Sequence, residues 1–185
     1  MRNIDTIIIH CSASKPGVDL HAKNIDRMHR EQNHWKCIGY HYIVCLDGTI
    51  EPGRDETEVG AHAKGYNGPS IGICYVGGLN TSGQAADTRT TAQKESLNYL
   101  VNDLCRKYPI VKVIGHRDIS PDTNHNGKVD PWERIKAIAF STQRTTDKFK
   151  LEIPVLIDID HVVIQPKVAF DKSAYSGRVN KQVQL

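Results

Sequence analysis

The sequence predicts an α/β fold, in which strands and helices alternate within one layered domain. Three apolar runs rich in β-branched residues have the composition of buried strands, at positions 6–9, 70–76 and 111–114. Two intervening segments, 20–35 and the stretch between Thr90 and Pro109, instead carry apolar residues at helical spacing. The alternation of these two patterns indicates helices packed on a sheet.

The first half of the chain contains a strand, a helix and a hairpin in this prediction. The strand at 6–9 ends directly at His10, and the helix at 20–35 follows. A hairpin is expected around Asp47-Gly48, because this dipeptide suits the type I′ turn that joins two antiparallel strands.

The second half begins with the strand at 70–76 and continues into the strongest helix pattern of the chain. Thr90 and Gln93 are spaced for a capping box, which predicts where the helix begins. Its apolar positions are Leu97, Leu100, Val101, Leu104 and Cys105. Pro109 ends it, and the last strand is followed at once by His116.

The composition excludes some classes of function. The chain has 185 residues, with 24 basic and 21 acidic side chains and a formal net charge of +3. This charge is too small to predict a nucleic-acid partner, and no apolar run is long enough to span a membrane. The five cysteines include no Cys-X-X-Cys pair, so we expect reduced thiols rather than disulfides.

Two histidines stand at the ends of predicted strands. His10 and His116 each follow an apolar run directly, and the ends of strands along one edge of a sheet are where sites tend to form. Imidazole is a good zinc ligand, so the pair predicts a shared metal. On spacing alone the alternative stays open that both are hydrogen-bonded structural residues. His21, His29 and His34 are expected to be solvated.

Seven short motifs occur in one order along the chain. They are IHCSAS at 9–14, IGYHY at 38–42, DGT at 47–49, GR at 53–54, GAHAKGYN at 60–67, SIGI at 70–73 and GHRD at 115–118. Together they resemble the bacteriophage-lysozyme type of N-acetylmuramoyl-L-alanine amidase, a family that also includes peptidoglycan recognition proteins. The resemblance covers about residues 3–137.

The resemblance implies a mixed central β-sheet flanked by helices. It implies a single domain at 1–137, like those of amidases and peptidoglycan recognition proteins, followed by a C-terminal tail at 138–185 that is unrelated to the family pattern. The implied function is zinc-dependent hydrolysis of the amide bond between N-acetylmuramic acid and L-alanine. Bacterial peptidoglycan is the expected partner, and we expect a monomer.

The resemblance also implies roles for six residues. His10 and His116 match the two zinc histidines, and Tyr40 and Lys136 match the catalytic tyrosine and lysine. His62 and Asn67 fall in the motif that borders the substrate groove. For three of these positions an ordinary structural role stays open: Tyr40 as a groove residue, and Lys136 and His62 as surface residues.

The family pattern breaks after Lys136. In the resembling family a cysteine follows Lys-Ala and completes the zinc site, whereas this chain has Ile138 and no cysteine after Cys105. A carboxylate is one substitute ligand, and the nearby candidates are Asp118, Asp122, Asp130 and Glu133. The alternative function is a peptidoglycan-binding module with little or no catalysis. The tail is either a substitute ending, as a change of reading frame would produce, or a genuine β-hairpin.

The segment between His116 and Lys136 matches a calcium loop. Oxygen ligands are expected at loop positions 1, 3, 5, 7, 9 and 12, which are Asp122, Asn124, Asn126, Lys128 (through its carbonyl), Asp130 and Glu133. Gly127 stands at the sharp turn of the loop. We therefore expect Ca²⁺ as a second cofactor, the alternative being a polar insertion that matches by chance.

The N-terminal residues carry no secretory leader pattern. We therefore expect synthesis in the cytoplasm without a signal peptide, and action on the cell wall after lysis or non-classical export.

Overall fold

The computed structural model describes residues 2–121 and 123 of the chain. The elements follow one another as β1 (Thr6–Cys11), α1 (Ala22–Asn33), β2 (Tyr42–Val44), β3 (Ile50–Pro52), β4 (Ser70–Tyr75), α2 (Thr91–Lys107), β5 (Lys112–Gly115) and a 3-10 turn (His116–Ile119). The predicted alternation of strands and helices is confirmed. The calcium loop, Lys136, Ile138 and the tail lie outside the described residues, so the domain boundary at 137 stays a prediction.

The five strands form one mixed sheet in the order β3-β2-β4-β1-β5. Strand β1 pairs in parallel with both β4 and β5, and β2 pairs in parallel with β4. Among the strands that the structure describes, only β2 and β3 pair antiparallel. The expected mixed central sheet is therefore confirmed, with β2, β4 and β1 between the edge strands β3 and β5.

Each face of the sheet packs against one helix, because side chains alternate between faces along each strand. One face of β1 and β4 packs against α2 through a cluster that includes Ile7, Ile9, Ile71, Ile73, Leu97, Leu100, Val101 and Leu104. The opposite face packs against α1 through Ile25, Ile38, Ile43, Cys45, Cys74 and Val76. His10 lies on this second face, since its neighbours Ile9 and Cys11 contribute to the first.

The capping box of α2 forms as predicted. The Thr90 hydroxyl accepts the Gln93 backbone N–H, and the Gln93 side chain accepts the Thr90 N–H, both at 3.0 Å. The Gln93 amide also donates to the carbonyls of Val44 and Val76, at 3.1 and 2.8 Å. The buried side chain of Gln93 therefore caps the start of α2 and also hydrogen-bonds the helix to the ends of β2 and β4.

The hairpin is present, but the predicted type I′ turn is wrong. A type I′ turn needs positive φ at both central residues, and of the pair only Gly48 has it, at 87°. The bonds from Gly48 N–H to the Cys45 carbonyl and from Cys45 N–H to the Thr49 carbonyl, both 2.9 Å, enclose a three-residue loop instead. The Asp47 carboxylate accepts the Thr49 N–H at 2.8 Å, which stabilises this longer loop.

In the part of the chain that the structure describes, neither helix combines the length and the hydropathy that crossing a membrane requires.

Candidate functional site

His10 and His116 meet at the carboxyl ends of the neighbouring strands β1 and β5. Strands β1 and β5 are parallel neighbours in which Ile9 pairs with Gly115. His10 is the next residue of β1 and His116 is the first residue of the 3-10 turn after β5, so the two stand side by side with ring centroids 4.6 Å apart. The sequence pattern predicted this meeting, and its physical basis is the register of two parallel strands.

Two further aromatic side chains surround His10. The His62 ring stands edge-on to His10 at a centroid distance of 5.0 Å, and the Tyr40 ring lies 5.1 Å away. His10 Nε2 and His62 Nδ1 are 3.0 Å apart, so one of these nitrogens donates a hydrogen bond to the other. The three residues come from β1, the segment before β2 and the loop before β4.

This contact fixes the orientation of the His10 ring. His62 Nε2 lies 3.4 Å from the Ser70 hydroxyl, which donates to the Tyr66 carbonyl at 2.7 Å. A ligand histidine in a metal site usually bonds its second nitrogen to a partner of this kind, which sets its tautomer. If His10 Nε2–H donates to His62, then His10 Nδ1 carries a free lone pair for a metal.

Asn67 holds the loop that carries His62. Its side-chain oxygen accepts the backbone N–H groups of His62 and Ala63, at 2.9 and 2.8 Å. The structure thus shows a positioning role for Asn67 within its own motif. Direct contact of Asn67 or His62 with substrate stays a prediction.

Two glycines leave the space that the His62 ring occupies. A Cβ atom at Gly72 of β4 would lie 2.5 Å from His62 Cγ, and one at Gly60 would lie 2.5 Å from His62 Cδ2. Both distances are far shorter than a van der Waals contact, so neither position accepts a side chain unless the His62 ring moves. Sequence reasoning missed this role, although Gly72 within the otherwise apolar strand 70–76 was the available signal.

Burial keeps the histidines of the site neutral. Burial first, and then the neighbouring His62 and His116, holds the pKa of His10 well below its ordinary value. Burial also lowers the pKa of His116, and it lowers the pKa of His62 to about 3. Neutral imidazole is the form that binds a metal, so the ligand pair is in the required protonation state at pH 7.

Tyr40 keeps its proton at neutral pH. Burial first, and then the neighbouring thiols of Cys74 and Cys11, raises the pKa of the Tyr40 hydroxyl well above its ordinary value. The Tyr40 ring also packs against His29, with centroids 5.4 Å apart. His29 is therefore not simply solvated as expected, and its Nδ1 accepts the Gly39 N–H at 3.0 Å.

The sequence offered four carboxylates as a substitute third zinc ligand. Of the four carboxylates considered for it, only Asp118 belongs to the described residues. Its Oδ2 accepts the Gly115 N–H at 2.8 Å, so this oxygen supports the turn that carries His116. Lys136, Ile138 and the six residues of the calcium loop lie outside the described part of the chain.

A second cluster was missed entirely by sequence reasoning. His21, Cys45 and Glu51 each offer one ligand atom, and these atoms all lie within 4.8 Å of one another. His21, expected to be solvated, is bonded to Glu51 at 2.7 Å. Cys45 and Glu51 belong to the β2–β3 hairpin, whereas His21 lies 24 and 30 positions before them, so no local spacing joins all three residues.

The chain is similar to known amidases, phage endolysins and peptidoglycan-recognition proteins. Residues 1–133 match the family Amidase_2, described as N-acetylmuramoyl-L-alanine amidase. The endolysin of Escherichia phage T7 is 44% identical over 128 residues, which is 69% of this chain and 84% of the endolysin. The peptidoglycan-recognition protein SC2 of Drosophila melanogaster is 32% identical over 135 residues, 69% of this chain and 70% of that protein.

A solved structure has the same architecture. The N-acetylmuramoyl-L-alanine amidase LysC from Clostridium intestinale URNW superimposes with a TM-score of 0.56 and 33% sequence identity. The match covers 71% of this chain and 82% of that one.

Proposed function

This chain belongs to the N-acetylmuramoyl-L-alanine amidase family of hydrolases, and we propose that it cleaves the amide bond between N-acetylmuramic acid and L-alanine in bacterial peptidoglycan with zinc as its cofactor. The observation that carries the zinc-dependent mechanism is a pair of adjacent histidines where β1 and β5 end, of which His10 is buried and His116 is half-buried. His10 and His116 have ring centroids 4.6 Å apart, and a third histidine orients the first.

The residues present suit zinc. Two neutral imidazoles form the donor pair, and imidazole is among the ligands that zinc prefers. His62 would fix the His10 ring so that Nδ1 faces the ion, as a partner beyond the ligand sphere commonly does. In a site of this kind coordination lowers the pKa of water to about 7 and supplies a nucleophile at neutral pH.

The surrounding side chains would then act on the substrate. Because Tyr40 keeps its proton, it can donate a hydrogen bond to the carbonyl oxygen of the scissile amide. We place Lys136 beside the negative charge that develops on this oxygen, following the family resemblance. Removing one such stabilising donor typically costs about 100- to 1000-fold in rate.

A second candidate function is a peptidoglycan-binding module with little catalysis. The observation in its favour is Ile138, which stands where the family pattern has a cysteine ligand. Two histidines alone make a weak zinc site, since structural and catalytic zinc sites use at least three protein ligands. The amidase therefore needs a third ligand from elsewhere, and a carboxylate after His116 is our proposal for it.

The two functions are separated by testing hydrolysis and metal content together. Purified chain should contain zinc and release L-alanine amino termini from purified peptidoglycan. His10→Ala and His116→Ala should each lose the zinc and reduce release to background, because each removes a ligand. His34→Asn is a matched control: His34 is exposed, and its left-handed backbone (φ 55°) suits asparagine.

Cosedimentation gives the deciding outcome. Wild-type chain that sediments with peptidoglycan yet releases no amino termini would overturn the amidase proposal and support the binding module. Release that survives in both histidine variants would instead contradict the assignment of His10 and His116.

Calcium, assembly and location are further proposals that rest on the sequence alone. The loop from Asp122 to Glu133 has the ligand pattern of a calcium site. We propose a monomer that is made in the cytoplasm and acts on the cell wall after lysis or non-classical export. Relatives described as phage endolysins support action at the wall.

A further inference from the structure

Three metal-ligating side chains meet where helix α1 begins against the β2–β3 hairpin. His21 is the residue before α1, Cys45 follows β2, and Glu51 lies in β3. His21 Nδ1 is 2.7 Å from Glu51 Oε1 and 3.7 Å from Cys45 Sγ. One atom from each residue thus points into a common space less than 4.8 Å across.

We propose that His21, Cys45 and Glu51 form a second zinc site, separate from the His10–His116 pair. Thiolate, imidazole and carboxylate are the three kinds of zinc ligand in proteins. A hard cation such as Ca²⁺ or Mg²⁺ prefers an all-oxygen set, whereas the thiolate selects a softer metal. The proposal does not depend on the proposed hydrolase activity.

The atoms that would not touch the metal lie near groups of the kind found around a metal site. His21 Nε2 lies 3.6 Å from an Asp19 carboxylate oxygen, which is ion-pair distance, and a small shift would give the carboxylate–histidine–metal arrangement. Glu51 Oε2 accepts the Ala22 N–H at 2.6 Å. His21 Nδ1 and Glu51 Oε1 face Cys45, and a metal would replace the 2.7 Å hydrogen bond that now joins these two atoms.

The charge around the cluster also favours a cation. Cys45 is 1% exposed, and burial first, then Glu51, Asp47 and Asp19, raises the pKa of its thiol to about 12. The same carboxylates that oppose a bare thiolate would attract a metal ion that neutralises it. His21 and Glu51 are only partly buried, which leaves an approach from solvent and room for water as a fourth ligand.

The sheet register keeps the two sites apart. His10 pairs with Cys74, which in turn pairs with Ile43. Cys45 is two positions beyond Ile43 and two strands away from His10, so roughly 10 Å separates the two residues across the sheet alone. The two ligand sets share no residue.

A metal here would join the start of α1 to the hairpin. Helix α1 contributes only Ile25 to the buried core, so packing holds it weakly. A metal that binds the folded chain and not the unfolded one must raise the melting temperature. We therefore assign the second site a structural role.

Cobalt(II) absorption tests this site directly, because a cobalt–thiolate bond gives a charge-transfer band in the near ultraviolet. The His10→Ala/His116→Ala double variant removes the proposed catalytic ligands from the full chain. It should bind one equivalent of Co²⁺ with the thiolate band, and the metal should raise its melting temperature. Adding Cys45→Ser should abolish the band, whereas adding Cys37→Ser, a free cysteine outside the cluster, should leave it.

Absence of the band in a folded double variant, or its persistence after Cys45→Ser, would overturn the proposal. If the double variant does not fold, the same cobalt titration of the wild-type chain decides the matter. There the band must vanish with Cys45→Ser and survive Cys11→Ser, since Cys11 is the cysteine adjacent to His10. Loss of hydrolase activity in the double variant bears only on the proposed function.

Discussion

At position 138 the chain carries an isoleucine directly after the retained pair Lys136-Ala137. A branched alkyl side chain has no lone pair to offer a metal, so this one residue removes the thiolate that the family pattern supplies. The two histidines on the sheet are unaffected by it, because the register of β1 and β5 sets their positions. The completeness of the proposed zinc site therefore depends on a position far along the chain from His10.

Replacing this residue tests the role of the missing ligand. Ile138→Cys should raise zinc affinity and the rate of peptidoglycan hydrolysis, because a thiolate would complete a His-His-Cys set. The measurements are competition for zinc against a chromophoric chelator and release of L-alanine amino termini. Ile138→Ser is the matched control, since it has nearly the same size as cysteine but lacks the thiolate. Equal zinc affinity in both variants would mean that the chain at 138 does not pass the site.

Strand β4 positions the histidines of the site through its backbone. It pairs with β1 and β2, and its Gly72 leaves the space for the His62 ring. The Gly72 N–H also donates to His41 Nδ1 at 2.9 Å. The backbone of one buried strand thus positions two histidines, of which one orients His10.

Gly72→Ala should disturb the site through the His62 ring, to which the three atoms nearest the added Cβ belong. The added Cβ would lie 2.5 Å from the ring, so His62 must move and lose its bond to His10. Losing such a partner typically weakens metal affinity by about 10- to 100-fold, and overpacking costs about 1–3 kcal/mol of stability. Zinc competition and urea unfolding measure the two effects.

Gly68→Ala is the control for this substitution. Position 68 precedes the same strand, and a Cβ there would have no atom within 4 Å. It should leave both zinc affinity and stability close to wild type. If Gly72→Ala also leaves zinc affinity unchanged, then His62 does not support the metal site.

Stability of the whole molecule should fall in mild acid. Burial lowers the pKa of His41 to about 4 and that of His62 to about 3, below the ordinary value near 6.5. Between these values the unfolded chain binds more protons than the folded one, so the free energy of unfolding decreases as pH falls. His21 has the opposite effect on the free energy of unfolding, because its hydrogen bond to Glu51 raises its pKa. Its contribution is small, since the side chain is partly exposed to solvent.

Urea unfolding at pH 7 and pH 5, with a chelator present, measures this dependence. Each of the two buried histidines should lower stability by roughly 1–2 kcal/mol over this range. The range lies above the ordinary pKa values of carboxyl groups, which limits their contribution. His41→Asn should reduce the dependence, whereas His34→Asn should not. Equal stability at the two pH values would show that these histidines titrate normally.

The sequence predicted those parts of the fold that depend on the pattern of neighbouring residues, namely the strands and helix α2. Runs of β-branched residues gave the strands, and the spacing of Leu97, Leu100 and Leu104 gave α2. The turn type at Asp47-Gly48 did not follow, because the same dipeptide fits loops of two and of three residues, and the longer loop closes with the Asp47–Thr49 bond.

Of the candidate site, the sequence predicted the two histidines but not their partners. His10 and His116 stand at strand ends, and parallel strands bring such residues together. His62 lies 52 positions from His10, and His21 lies 24 and 30 positions from Cys45 and Glu51, so no local pattern indicates these contacts.

By itself, the sequence determined the alternating strands and helices, the two strand-end histidines and the substitution at Ile138, because each depends on residue type or on spacing between near neighbours. Only the tertiary structure decided the strand order, the partner that orients His10 and the meeting of three metal-ligating side chains beside α1. These depend on which distant segments pack together, and that is set by burial of the whole core rather than by any stretch of it.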